Sequence, residues 1–350
     1  MKRLYQIIIF SIFFTSCKEE KYKYDISDFR TELRPSLKSL SKEKSLPSKD
    51  TIARNFIEKN ATKEELIKLM DSNSPLLRVI AYRTIVNRQE PEYFDLLINH
   101  LSDTAKVNWW YYEDAGNNFY VSELMIRKAH DKNGLTPIQK KHLVEKVLME
   151  HPYLETSTWM IDDINPNEKY YNLIKKRAGL KSDECGEQLS ACFALSKFKK
   201  KEDVNVLYDV FNQNIKNEYC INWIFRSIEK NPNNKFFPIL EDYFNQKIKG
   251  KLSAKENIFD DVLYFSRAIA AYKNDNALTI LKYIEQNNTY INKPAWPPSN
   301  KKYVYKAMLI NYDKIYDDLI KQIQSEFKKE DLEKLGFGRQ LLEYDEESNW

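Results

Sequence analysis

Glycine is scarce in this chain, 7 residues in 350. A doubly wound α/β enzyme needs tight glycine turns to bring backbone against phosphate, so that class is disfavoured at the outset. Gly336-Phe337-Gly338 lacks a third glycine and a preceding strand, and neither a Walker-type lysine loop nor a Gly-x-Ser-x-Gly elbow occurs. Histidine is equally sparse: His100, His130, His142 and His151 include no pair three or four apart on a helix, which removes motif-grade zinc sites. Charge of one sign does not predominate either. Lys and Arg total 55 against 51 Asp and Glu, a net +4 that gives no electrostatic footprint for nucleic acid. With 12 prolines and 42% hydrophobic residues the chain is neither low-complexity nor disordered. No metal or other cofactor is implied by any of these patterns.

No apolar run is long enough to span a bilayer, which takes about 20 residues. The longest follows Lys2 and Arg3, running uncharged from Leu4 to Phe14 before Thr15, Ser16 and Cys17. A basic start, a short apolar core and small residues make up the plan of a secretory signal peptide. Phe14-Thr15-Ser16-Cys17 resembles the lipobox of bacterial lipoproteins, departing from it at Phe14, where that family carries leucine or another aliphatic. The resemblance implies that residues 1–16 are removed and that Cys17 is lipidated. It also implies a mature protein anchored to a membrane of the cell envelope without crossing it. Lys18-Glu19-Glu20 is similar to the tag that sends some lipoproteins to the outer face of the outer membrane, so a surface-exposed location is expected. Cleavage leaves 53 basic against 51 acidic residues, so attraction by basic surface contributes nothing to attachment. Residues 17–50 read as a polar tether in which Leu33, Leu37 and Leu40 permit one amphipathic turn.

From residue 51 the pattern changes to repeated helical stripes separated by short polar breaks, with no convincing period-2 strand. In the clearest unit Leu77, Ile80, Ala81, Thr84 and Ile85 share one face, while Phe94, Leu97, Ile98 and Leu101 share another. Ser74-Pro75 and Pro91 supply the two starts. Further first helices are expected near Phe119, Tyr153, Glu184, Glu218, Ile258 and Lys302. Their second helices are expected near Pro137, Pro166, Glu202, Pro232, Asp275 and Asp313. One hairpin cannot bury its apolar face alone, so neighbours must stack. Asp71 to Ile85, with Pro75, Arg78 and Ala81, resembles the first helix of a HEAT repeat, and Leu97 to Asp103 resembles the end of its second helix. The fold class expected is therefore all-α, an α-α superhelix: a HEAT-like solenoid of about seven or eight hairpins over residues 51–330, followed by a charged tail at 331–350.

Among candidate sites the richest segment is Trp109-Trp110-Tyr111-Tyr112-Glu113-Asp114, where aromatic area sits beside two acids. That combination suits a stacking platform for sugars or a hot spot for a protein. Trp159 is a weaker addition. The acidic doublets Glu113-Asp114, Asp162-Asp163 and Asp260-Asp261 offer carboxylate pairs of the kind used in glycoside hydrolysis. Cys185 and Cys192 lie seven apart, about 10 Å along one helix and too far to bridge. The three cysteines after Cys17 either fill helix contacts as small apolar residues, or Cys220 reaches one of the other two. Asp50-Thr51-Ile52 and Asp103-Thr104-Ala105 resemble a short bacterial O-glycosylation pattern, although the second pair also suits a helix cap.

These features point to an envelope lipoprotein that acts as a non-enzymatic scaffold for a protein or peptide partner. A solenoid presents many side chains along one surface and needs no cofactor to do so. An envelope glycan-active enzyme with an α/α-toroid fold and paired carboxylates is the alternative.

Overall fold

The computed structural model describes residues 24–110, 116–131, 134–182, 185–217, 219–249, 259–287, 300–328, 330 and 332, with side chains at 259–261 left out. The chain divides between Thr136 and Pro137 into two compact units. The fold is all-α, a series of helical hairpins of the α-α superhelix class, interrupted in the first unit by one small sheet.

In the first unit the order is α1 (Arg34–Leu40), β1 (Ser45–Leu46), α2 (Thr51–Asn60), α3 (Lys63–Met70), α4 (Pro75–Asn87), α5 (Tyr93–Asn99), β2 (Lys106–Trp110), β3 (Gly116–Tyr120) and α6 (Val121–His130). Local chemistry sets these boundaries. The Asp50 carboxylate accepts from Ala53 N–H to start α2, and its Ser39 hydrogen bond holds it below the usual carboxylate range. Thr62 and Glu65 form a reciprocal capping box on α3, and Ser74 caps α4 ahead of Pro75. The unit packs around α4, where Leu76 through Tyr82 are all buried against α3, α6 and α2.

Residues 24–50 are not a tether where the structure describes them. Leu33, Leu37 and Leu40 are fully buried, and α1 packs on α2 and α4. Their spacing of four and three makes one continuous stripe, and burying each leucine is worth about 1.5–3 kcal/mol. That stripe outweighs the polar residues around it.

The sheet was not expected either. β2 pairs antiparallel with β3 and parallel with β1, giving the order β1-β2-β3. The alternation of Lys106, Val107, Asn108 and Trp109 is genuine period-2 patterning, but it lasts only five residues. Its partner strand buries a single side chain, Phe119.

The second unit comprises α7 (Pro137–Glu150), α8 (Thr156–Asp163), α9 (Glu168–Gly179), α10 (Cys185–Ser196), α11 (Val204–Asn214), α12 (Ile221–Lys230), α13 (Phe237–Tyr243), α14 (Phe259–Ala270), α15 (Asp275–Gln286), α16 (Asn300–Ile310) and α17 (Asp317–Glu326). First helices start within three residues of the positions expected from the stripes, and second helices within five. The first helices α8, α10, α12, α14 and α16 pack each on the next, forming a ladder. Ring contacts fill its core: Phe225 meets Phe265 edge-on at 5.4 Å and Tyr243 at 5.1 Å. The turns that follow α4, α10 and α14 each carry a non-glycine residue at positive φ: Gln89 (58°), Lys199 (55°) and Lys273 (53°). The chain makes left-handed caps from long polar side chains where glycine is the usual choice. The tail at 331–350 lies outside the described residues except Leu332, which is buried.

Candidate functional site

The sequence-marked aromatic segment falls on the β2–β3 ribbon. Lys106, Asn108 and Trp110 pair with Tyr120, Asn118 and Gly116, while Val107 and Trp109 pair with Phe119 and Asn117. Successive strand residues point to opposite faces, so the two tryptophans part company. Trp109 turns inward with buried Val107, meets Phe119 edge-on at 5.6 Å, and lies 5.6 Å from the Arg127 guanidinium, which also caps Phe119 at 4.7 Å. Trp110 turns outward and is 42% exposed. Its indole lies across Gly116, where a Cβ would come within 2.9 Å of the ring. Tyr111, Tyr112, Glu113 and Asp114 lie outside the described residues.

A buried ion pair sets the foot of this ribbon. Arg78 on α4 is 1% exposed and forks onto Asp103, with Nε to Oδ2 at 2.7 Å and an Nη to Oδ1 at 3.0 Å, while its other Nη donates to the Ser72 carbonyl. Asp103 Oδ1 also accepts from Ala105 N–H, and the Asp103 carbonyl accepts from Ser122 N–H. The aspartate thereby fixes both the entry into β2 and the exit from β3. Nearby, a pocket of about 240 Å³ lies between Tyr24–Phe29 and the α3–α4 turn. Its polar wall is already engaged, with Ser74 capping α4 and Asn73 donating to Asp25.

In the second unit the structure gathers residues that no local spacing links. Trp159, Asp162 and Asp163 lie on α8, the two acids at its C-terminal end rather than near a helix start. That placement opposes the helix dipole, and two cations offset it. Lys197 donates to the Asp162 and Ile164 carbonyls at 2.5 and 3.3 Å, and Arg226 on α12 meets Asp162 Oδ2 at 3.5 Å. Both cations also contact the Phe193 ring of α10, at 4.4 and 4.2 Å, and Arg226 lies 4.6 Å from the Trp223 ring. Burial pushes the Lys197 amine down to about 8; Arg226 adds to that shift and Asp162 opposes it. Asp162 and Arg226 are 64 residues apart in sequence, so only the stacking of first helices brings them together. Trp223 with Arg226, three apart on α12, and Phe193 with Lys197, four apart at the end of α10, are the local hints of an aromatic–cation face.

Two further networks hold the second unit together, one between first helices and one between second helices. Glu229 Oε1 on α12 accepts from Arg267 Nε on α14 at 3.0 Å and from Asn311, just past α16, at 3.1 Å, and an Arg267 Nη lies 2.9 Å from Glu229 Oε2 to complete the ion pair. Asp203 is buried and accepts from Tyr171 at 2.9 Å and Lys175 at 2.7 Å, which raises the Lys175 amine. Burial raises the Tyr171 phenol, so at neutral pH it stays a donor to that carboxylate.

Cys185 and Cys220 form a disulfide, with Cα atoms 6.2 Å apart and Asn217 donating to Cys185 Sγ at 3.1 Å. This settles the cysteine alternatives for that pair. Cys185 opens α10 and Cys220 caps α12, so stacked first helices bring their starts side by side. Cys192 remains a buried thiol, raised by burial, and fills a helix contact. The doublet side chains at Asp260 and Asp261, and those of Glu113 and Asp114, lie outside the described residues, as do Cys17 and Trp296. Asp50 and Asp103 of the glycosylation-like pairs serve as a helix cap and an arginine partner.

Among the described residues no helix is long and apolar enough to cross a membrane. Comparison with protein-family models, curated proteins and solved structures finds no match for this chain.

Proposed function

We propose that the chain is a cell-envelope lipoprotein, anchored through lipid on Cys17 and carried to the outer membrane, whose helical ladder holds a protein or peptide partner without performing chemistry. The observation that carries this reading is the meeting of Asp162 on α8 with Arg226 on α12, whose guanidinium also lies against Phe193 of α10 and Trp223, with Trp159 one turn before Asp162 on α8. Tryptophan and arginine dominate the energetics of protein interfaces, and a fixed guanidinium beside an indole is ready-made for a backbone carbonyl or a carboxylate. The Asp162 carboxylate faces a cation, an arrangement suited to recognition. The Cys185–Cys220 bond supports passage through an oxidising compartment, where such bonds form and persist.

Recovery of a partner from envelope extracts tests the binding half. Trp159→Ala with Arg226→Ala is expected to lose the partner retained by the wild type, and undiminished recovery would remove this face from the proposal. Cys17→Ala is expected to release the protein from membranes, whereas continued membrane association would contradict lipid anchoring.

A further inference from the structure

The outward face of the β-ribbon displays exposed polar and aromatic side chains. Strand register decides what it displays. Asn108 N–H donates to the Lys44 carbonyl on the β1 side, so Asn108 and Asn118 form a pair that exchanges no backbone hydrogen bond, and their side chains rise together from the sheet. Ser45 of β1 is in register with Asn108. A hydroxyl and two carboxamides therefore run across three strands at about 4.8 Å spacing. No hydrogen bond from another described residue engages these three side chains. Exposed Trp110 flanks this polar row on one side and Tyr120 on the other. Each is two residues along its strand from the row, so the two aromatic rows lie about 13 Å apart.

We infer that this face binds a short oligosaccharide. Flat rings at both ends offer stacking surfaces for the apolar faces of sugar rings. The row between them supplies both donors and acceptors, as a ligand rich in hydroxyls requires. Lys106, exposed and 5.7 Å from the Tyr120 ring, is the charged side chain among the outward-facing described residues. It favours a carboxylate-bearing sugar at the Tyr120 end. A peptide adding to the sheet edge fits less well. Only Gly116 and Asn118 turn backbone groups to the free edge, because Tyr120 N–H donates to Glu123 Oε2, whereas strands ordinarily run five or six residues. A single lysine likewise falls short of what a nucleic acid needs.

The test is calorimetric titration of the purified full chain with hexagalacturonate and with neutral hexa-N-acetylglucosamine. Both should bind, the acidic chain about threefold to tenfold more tightly, and added salt should erase the difference. Trp110→Ala should weaken both about tenfold or more, and Asn108→Ala with Asn118→Ala should do likewise. Lys106→Gln should remove only the preference for the acidic chain. Circular dichroism matching the wild type shows that each variant is folded, as expected for exposed positions. Binding of neither saccharide, or binding unaffected by Trp110→Ala, would overturn the proposal. So would Trp110-dependent binding of an extended peptide in place of the saccharides. Failure of the partner-capture experiment on Trp159 and Arg226 would leave this outcome untouched.

Discussion

Each unit buries one arginine fork on a carboxylate, yet the two forks do different work. In the first unit Arg78 reaches from a helix to Asp103 in the connection leading into the ribbon, pinning the place where the described chain leaves its helices for a sheet. In the second, Arg267 and Glu229 join neighbouring first helices, with Asn311 from beyond a third, and so pin the repeat itself. The same chemistry fixes an exception in one region and a rule in the other. The exception places an exposed polar–aromatic face on the surface, while the rule ties each first helix to the next.

The sharpest way to break this comparison is to remove one member of each fork. Arg78→Met and Arg267→Met each leave a buried carboxylate without its cation and should cost about 3–5 kcal/mol in denaturant unfolding. Only Arg78→Met should also disturb the ribbon, read as a change in Trp110 exposure. A cost under about 1 kcal/mol for either would deny that fork its structural role. Next in size, Cys220→Ser should destabilise the second unit by about 3 kcal/mol, because a separation of 35 residues leaves a long loop open in the unfolded chain. No loss on substitution would mean the ladder holds those helix starts together unaided.

Lys197 gives a smaller, pH-dependent effect. The folded state releases its proton near pH 8, whereas the unfolded state holds it to about pH 10.5. Between those values the unfolded state binds more protons, so stability rises with pH. The wild type should therefore gain on Lys197→Met as pH climbs from 8 toward 10, and a constant difference would contradict the burial of that amine. Smallest are the left-handed turns. Gln89→Gly in one unit and Lys199→Gly or Lys273→Gly in the other should each stabilise by about 0.5–1 kcal/mol by relieving the Cβ at positive φ. Loss of stability at any of them would show that its side chain holds the turn in place.

The helices were legible because apolar stripes at helical spacing, such as Val204, Leu207 and Phe211, have one economical burial solution. The ribbon was not, since five alternating residues in Lys106–Trp110 give too little signal, and Gly116–Tyr120 buries only Phe119. The α1 stripe of Leu33, Leu37 and Leu40 was visible but obscured by surrounding Lys, Ser and Glu. Partners across the ladder were hidden for a different reason. Asp162 with Arg226, and Cys185 with Cys220, are neighbours only after first helices stack, and no residue spacing encodes which helix follows which in space. For the candidate site, the residue types around Trp109 and Trp110 were apparent. Which tryptophan faces outward depends on strand parity, which a helical reading does not supply.

That parity is the point on which the ribbon's face depends, and a nuclear Overhauser measurement on selectively labelled protein reads it directly. A strong Hα–Hα contact between Asn108 and Asn118, with none between Val107 and Phe119, is predicted for the register described. A strong contact between Val107 and Phe119 instead would reverse that parity, turn Asn108, Asn118, Trp110 and Tyr120 together to the inward face, and contradict the account.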